Sequence, residues 1–245
     1  MARNRRRRTQ AQKGRRILYT VIAGIIILIA AVTGAYLYVS SRPAAHSGAS
    51  ECNVLNPVGG DLYACVKTTD GTSTGYMIFE LYASETPQTA TNFVNLVKQG
   101  FYNDLIWHRI VQGFVIQTGD PNTRNGGGNQ ADWGDGGSTQ TVPLEIVPGL
   151  NNVYGSLAMA RGSSKNSATS QFFINLADNS FLNGNYTVFG QVISGMNVAV
   201  AISNLPVNSA CASSQDLTCQ PVNPLQAEIQ SITMISINAT TTSTG

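Results

Sequence analysis

Residues 107–121 read WHRIVQGFVIQTGDP. Two short runs of strand character, 105–111 and 114–118, lie here, rich in Ile, Val, Trp and Phe. Working outward, similar runs recur at 156–161, 171–176 and 187–192, between loops dense in Gly, Asn, Asp and Ser. Upstream, LYACVKT (62–68) and YMIFELY (76–82) flank an Asp70-Gly71 turn and predict a hairpin. Thr86-Pro87 opens a helix whose Ala90, Phe93, Val94 and Val97 recur at helical spacing, and Gly100 ends it. Residues 198–202 suit a second short helix, and IQSITMISI (229–237) alternates as a final strand. Many short strands with two helices predict a mainly β fold whose antiparallel sheet must manage its edges. A barrel with helices over its ends satisfies the pattern, and a sandwich does so nearly as well. No internal repeat is present.

The chain has 245 residues, 42% hydrophobic and 11% charged, with net charge +2. An ordinary apolar fraction with so little net charge excludes a disordered chain. The net charge hides an asymmetry. Residues 1–16 carry eight basic groups and no acid, whereas from residue 43 onward six Lys and Arg face thirteen Asp and Glu. The larger part is therefore acidic and repels phosphates, so no nucleic-acid partner is expected. The basic run precedes ILYTVIAGIIILIAAVTGAYLYV, residues 17–39, which holds no charge. As a helix it is about 34 Å long, enough to cross a hydrocarbon core of about 30 Å. Tyr19, Tyr36 and Tyr38 lie near its ends, where amphipathic rings prefer the interface. The positive-inside rule then puts the N-terminus in the cytoplasm and the rest outside the cell membrane, as a single-pass signal-anchor protein. A cleaved signal peptide is the alternative, with Ala44-Ala45 as small residues for a peptidase, although its apolar region is usually shorter. Residues 40–60 read as a linker and 238–245 as a polar tail.

Cys52, Cys65, Cys211 and Cys219 all fall on the outer side, where disulfides persist. Four cysteines allow three pairings; proximity favours Cys52 with Cys65 and Cys211 with Cys219. With no C-x-x-C pair and only two His in the chain, no metal site is expected. GTSTG at 71–75 fits the letters of a nucleophile elbow around Ser73, but an elbow joins a strand to a helix and this segment lies in a hairpin turn. His108, the lone His of the folded part, sits beside Trp107 in an apolar run and reads as structural. Gly126-Gly127-Gly128 lacks a following G-K-[ST] and reads as a tight loop. Asp132 and Asp135, in ADWGDGG, read as polar turn residues rather than a calcium site.

Three segments carry more specific information by their residue order. They are FELYASETPQTATNFVNLVKQGFY (79–102), WHRIVQGFVIQTGDP (107–121) and SLAMARGSSKNSATSQFFINLADNSFLNGNYTVFGQV (156–192). Together they resemble the cyclophilin family of peptidyl-prolyl cis-trans isomerases, over residues 61–237. The resemblance implies a closed eight-stranded antiparallel barrel capped by two helices, and isomerase activity with no cofactor. It implies that Arg109 matches the catalytic arginine and Phe114 the phenylalanine of the proline pocket. Gln117 matches the polar residue that reaches the substrate backbone, and we group it with Arg109 as catalytic. Ala160, Gln171, Phe173 and Leu182 match substrate-binding positions. Val115 stands where many relatives have Met, Phe181 where many eukaryotic members have Trp, and Tyr186 where they have His. Arg161 and Gly162 replace an Asn-Ala pair. These departures bear on inhibitor affinity and peptide preference. Residues 205–224, with Cys211 and Cys219, look like an added loop.

The chemistry suits these residue types. Rotation about an X–Pro amide breaks no bond, so it needs no nucleophile, metal or cofactor. In the twisted amide the proline nitrogen gains a basic lone pair, and a donor that meets it only then lowers the barrier selectively. A guanidinium is always charged, planar and rich in N–H groups. Taken singly, Phe114, Phe173 and Leu182 suit a core and Arg109 a surface; their joint order singles them out. The expected protein is a monomeric, membrane-tethered isomerase acting on proline-containing segments of exported or surface proteins. A peptide-binding module without turnover, and a scaffold using the 205–224 loop, are the alternatives.

Overall fold

The computed structural model describes residues 52, 62–208 and 219–235. The basic segment, the 17–39 span, the 238–245 tail, nearly all of the linker and the middle of the 205–224 loop lie outside the described residues. Among the described residues no helix is long and apolar enough to cross a membrane.

The expected hairpin forms as β1 (Leu62–Thr69) and β2 (Thr74–Leu81), paired antiparallel. Its turn is held locally: Asp70 Oδ1 accepts the N–H groups of Thr72 at 3.0 Å and Ser73 at 2.9 Å. Ser73 is thereby a turn residue and not a nucleophile on an elbow. Helix α1 (Pro87–Lys98) follows, with Pro87 in its first turn. Thr86 gives no side-chain cap; Glu145 does the work from 56 residues away, accepting Thr89 N–H at 2.8 Å. Phe93, Val94 and Val97 face the core, and α1 packs on the last strand, β9 (Glu228–Ile235). Helix α2 (Met196–Ser203) buries Val198, Ala199 and Ile202 and packs on β2.

One sheet holds every strand, so the sandwich is not formed. The other strands are β3 (Leu105–Ile106), β4 (Arg109–Val111), β5 (Val115–Thr118), β6 (Ser156–Met159), β7 (Phe172–Asn175) and β8 (Val188–Ser194). The order across the sheet is β3-β9-β1-β2-β8-β6-β7-β5-β4, all pairs antiparallel.

This corrects the expected closed barrel of eight strands. Among the described residues there are nine, and the barrel is open between β3 and β4, the two ends of the sheet. The run 105–111, read from sequence as one strand, is divided. Leu105 and Ile106 pair with Ile229 and Glu228 on β9, whereas Arg109 to Val111 pair with β5. Between them Trp107 and His108 leave the ladder. The Trp107 N–H is taken by Ala227 O at 2.8 Å and its indole N–H by Thr68 Oγ1 at 3.1 Å. The sheet thus joins its own ends through two residues of chain instead of a hydrogen-bonded seam. All seven residues are buried, so no alternation marked the break.

The interior is aromatic around Phe172. Its ring meets Phe93 at 5.5 Å, Tyr102 at 5.6 Å, Trp107 at 5.9 Å, Phe79 at 6.1 Å and Phe189 at 6.2 Å, each close to edge-on. Cys52 and Cys65 form the expected disulfide, with Cα atoms 5.5 Å apart. Cys219 is also disulfide-bonded, and Cys211 lies outside the described residues.

Candidate active site

Strand alternation builds the site. On β7, Phe172 and Ile174 point into the main core, and Phe173 belongs to a separate apolar cluster with Val115, Ala158 and Val188. The register carries that second face across the sheet: Arg109 pairs with Gln117, Gln117 with Phe173, and Phe173 with Ala158. At about 4.8 Å per strand, one row across four strands brings Arg109, Gln117 and Phe173 together. Gly113, at φ +70°, makes the reversal between β4 and β5 that no L side chain adopts easily, and Phe114 follows it. Phe114, Leu150, Ala160, Leu182, Tyr82 and Tyr186 pack against this cluster while remaining partly exposed.

The result is a cavity of about 460 Å³ with apolar and cationic walls. Arg109, Phe114, Val115, Gln117, Ala160, Phe173, Phe181, Leu182 and Tyr186 all line it. The Arg109 guanidinium carbon stands 5.6 Å from the Phe114 ring centroid, and its Nη1 donates to Gln117 Oε1 at 3.2 Å. Arg109 is only 7% exposed. Phe181, 64% exposed, stacks on Phe114 at 5.8 Å with the planes 16° apart. Tyr186 meets Phe173 edge-on at 5.6 Å.

Gln171 is the exception among the expected residues. It lines a neighbouring cavity of about 510 Å³ and not the apolar one. Its Oε1 accepts from Gln117 Nε2 at 2.9 Å, so it reaches Arg109 through Gln117. Two residues absent from the expected site also line the apolar cavity, Asn185 and Arg161. The Arg161 guanidinium lies 5.1 Å over the Tyr186 ring, with Nε donating to Asn185 O at 2.7 Å. Arg161 lines both cavities. Its position beside Ala160 was the available signal.

His108 is structural in placement. It is 1% exposed, with the Ile106 backbone and the Gln171 side chain beside its ring. Burial pushes its pKa down to about 4; Asp120 opposes the shift and Arg109 adds to it. Between about pH 4 and pH 6.5 the unfolded chain therefore holds a proton here that the folded chain lacks. The stability owed to His108 is full above pH 6.5 and declines as the pH drops toward 4, by about 3 kcal/mol in all. Denaturant midpoints across this range should fall less steeply with acid in His108→Gln than in the wild type. Equal slopes would refute the buried neutral ring.

Among the described residues no group of three or more His, Cys, Asp or Glu is placed to hold a metal. A groove of about 500 Å³ between α1 and residues 138–143 carries no titratable side chain.

The family model for cyclophilin type peptidyl-prolyl cis-trans isomerase/CLD matches residues 65–225. A peptidyl-prolyl cis-trans isomerase of Acinetobacter baylyi is 42% identical over 166 residues, spanning 66% of this chain and 84% of the relative. Peptidyl-prolyl cis-trans isomerase B of Escherichia coli is 36% identical over 142 residues, or 55% and 82% of the two chains. Among solved structures, a cyclophilin type peptidyl-prolyl cis-trans isomerase of Cryptosporidium parvum, crystallised in the presence of the dipeptide Ala-Pro, superimposes with a TM-score of 0.59. It is 30% identical, and the match covers 71% of this chain and 99% of that one.

Proposed function

The chain belongs to the family of cyclophilin-type peptidyl-prolyl cis-trans isomerases, and for this member we propose that Arg109 drives the rotation by donating to the proline nitrogen. The uncatalysed barrier is about 18–20 kcal/mol because resonance holds the amide flat. As the amide twists, conjugation is lost and the nitrogen lone pair becomes an acceptor. A hydrogen bond from Arg109 formed only at that point lowers the barrier without stabilising either isomer. The proline ring sits among Phe114, Phe173 and Leu182, whose apolar surfaces exclude water and strengthen the charge they face. Gln117 holds the guanidinium and meets the peptide backbone. The observation that carries this reading is the Arg109 guanidinium 5.6 Å over Phe114, on the wall of the cavity that Phe173 floors.

The enzyme is a membrane-tethered monomer whose domain faces away from the cytoplasm. Residues 1–16 stay inside, 17–39 span the bilayer, and 40–60 link the span to the isomerase domain. What supports the tether is the uncharged 23-residue run behind eight basic groups. The Cys52–Cys65 disulfide suits an oxidising compartment. The clients are then exported or surface proteins whose folding waits on X–Pro isomerisation.

Protease added to intact cells should digest the isomerase domain while an epitope at the N-terminus stays protected. Protection of both, or recovery of the domain in the soluble fraction, would sink the tether. For the enzyme, the full-length chain in detergent should accelerate cis-to-trans conversion of a short X–Pro peptide. Peptide binding without acceleration would leave a binding module instead.

A further inference from the structure

Asp120 is wholly buried, and its carboxylate touches no substrate cavity. It accepts three backbone N–H groups: Asn122 on Oδ1 at 2.8 Å, then Gly134 at 2.5 Å and Gly136 at 3.2 Å on Oδ2. Two of these donors belong to the glycine loop ADWGDGG, more than ten residues further along the chain. The fit is tight, since a Cβ built on Gly136 would lie 2.1 Å from Asp120 Oδ1. The carboxylate thereby fixes where that loop sits.

The same two glycines turn their carbonyls to Gln171. Its Nε2 donates to Gly134 O at 2.8 Å and to Gly136 O at 2.6 Å. A carbonyl can only accept, so the amide of Gln171 has one permitted orientation, nitrogen toward the loop. Its oxygen then faces Gln117 Nε2 at 2.9 Å, which in turn sets the Gln117 amide. The Gln117 oxygen is left facing Arg109 Nη1 at 3.2 Å. Polarity therefore runs one way, from carboxylate to loop to two amides to guanidinium. With either amide turned over, a nitrogen would face a donor, and the chain of bonds would break at that point.

The geometry points to Asp120 as a positioning residue for the isomerase reaction, which orients Arg109 through the 134–136 loop, Gln171 and Gln117. This rests on the reading of Arg109 as the donor. A guanidinium has several rotamers of similar energy, and only one aims it at the twisted nitrogen. Holding that one in advance removes a reorganisation that the transition state would otherwise require. The glycine loop also lines the cavity next to the apolar one. A peptide side chain entering there would press on the middle of the relay, which ties flanking-residue binding to the aim of Arg109.

Asp120→Asn and Gln171→Met are each made alone and in combination with Arg109→Ala, in the full-length chain. Isomerisation of a short X–Pro peptide is measured along with the ¹⁵N signals of the arginine Nη groups. Each single variant should lower kcat about ten- to a hundredfold with little change in KM. Neither should add any loss to Arg109→Ala, because the relay acts only through that side chain. The Arg109 Nη signals should be separately resolved in the wild type and averaged in both single variants. An equal loss in both backgrounds, or sharp, separate Nη signals that survive Gln171→Met, overturns the relay. Should Asp120→Asn fail to fold, the Gln171→Met pair decides alone. If Arg109→Ala itself retains the wild-type rate, the donor reading fails, and the Nη signals still test the relay.

Discussion

Arg109→Ala should slow peptide isomerisation by about a hundred- to a thousandfold, the scale on which removing one preorganised donor usually acts. The loss should fall on kcat and leave KM nearly unchanged. On the proposed reading the bond forms to the twisted nitrogen and not to the planar amide of either ground state. The substitution leaves in place Phe114, Phe173 and Leu182, the residues proposed to hold the proline ring. Arg109→Lys should recover only part of the rate. An ammonium keeps the charge but loses the planar fork that both Gln117 and the substrate nitrogen require. Within the wild type the rate should be flat between about pH 5 and pH 8, because the guanidinium does not titrate there. His108, the one described histidine, stays neutral with a pKa near 4. A protease-coupled assay or exchange NMR on an Ala-Pro peptide gives the numbers. Wild-type kcat in Arg109→Ala would exclude the donor, and a bell-shaped profile near neutrality would point to a different titrating group.

The neighbours Phe172 and Phe173 should fail in opposite ways. Phe172 is fully buried, and five aromatic rings surround it. Phe172→Ala leaves a cavity that these rigid neighbours cannot fill, at a cost of about 3–5 kcal/mol. In a domain of this size that lowers the melting temperature by roughly 10 °C. Phe173 lines a cavity already open to solvent, so water occupies the space its ring leaves. Phe173→Ala, at a side chain only 4% exposed, should therefore destabilise less than Phe172→Ala and weaken peptide binding about ten- to a hundredfold. Calorimetry and peptide kinetics on the two variants separate the effects. Large destabilisation by Phe173→Ala with unaltered KM would mean that β7 faces the other way.

The contrast between these neighbours also shows where sequence reading reached its limit. QFFIN holds no polar residue between its two phenylalanines, so either one could have faced the core. The resemblance to the isomerase family picked Phe173, and the strand register supplies the reason by setting it opposite Gln117. Nine of the ten residues expected at the site line one cavity: Arg109, Val115, Gln117 and Phe173 from strands β4, β5 and β7, and the other five from the turns and loops that flank the strands. Gln171 reached its place by a different route, as a link and not a wall. The break in 105–111 was hidden by uniform burial, and with it the ninth strand.

By itself the sequence determined what acts over short separations. The 70–73 turn, the end of α1 and the closure of Cys52 on Cys65 depend on residues close together in the chain. Their energies are decided before the rest of the molecule assembles. Tertiary structure alone decided the aim of Arg109. The loop carbonyls that orient Gln171 lie 37 and 35 residues from it, and Gln171 lies 54 residues from Gln117. Hydrogen bonds at such separations have no trace in periodicity or propensity, because they exist only once the sheet has brought the strands side by side.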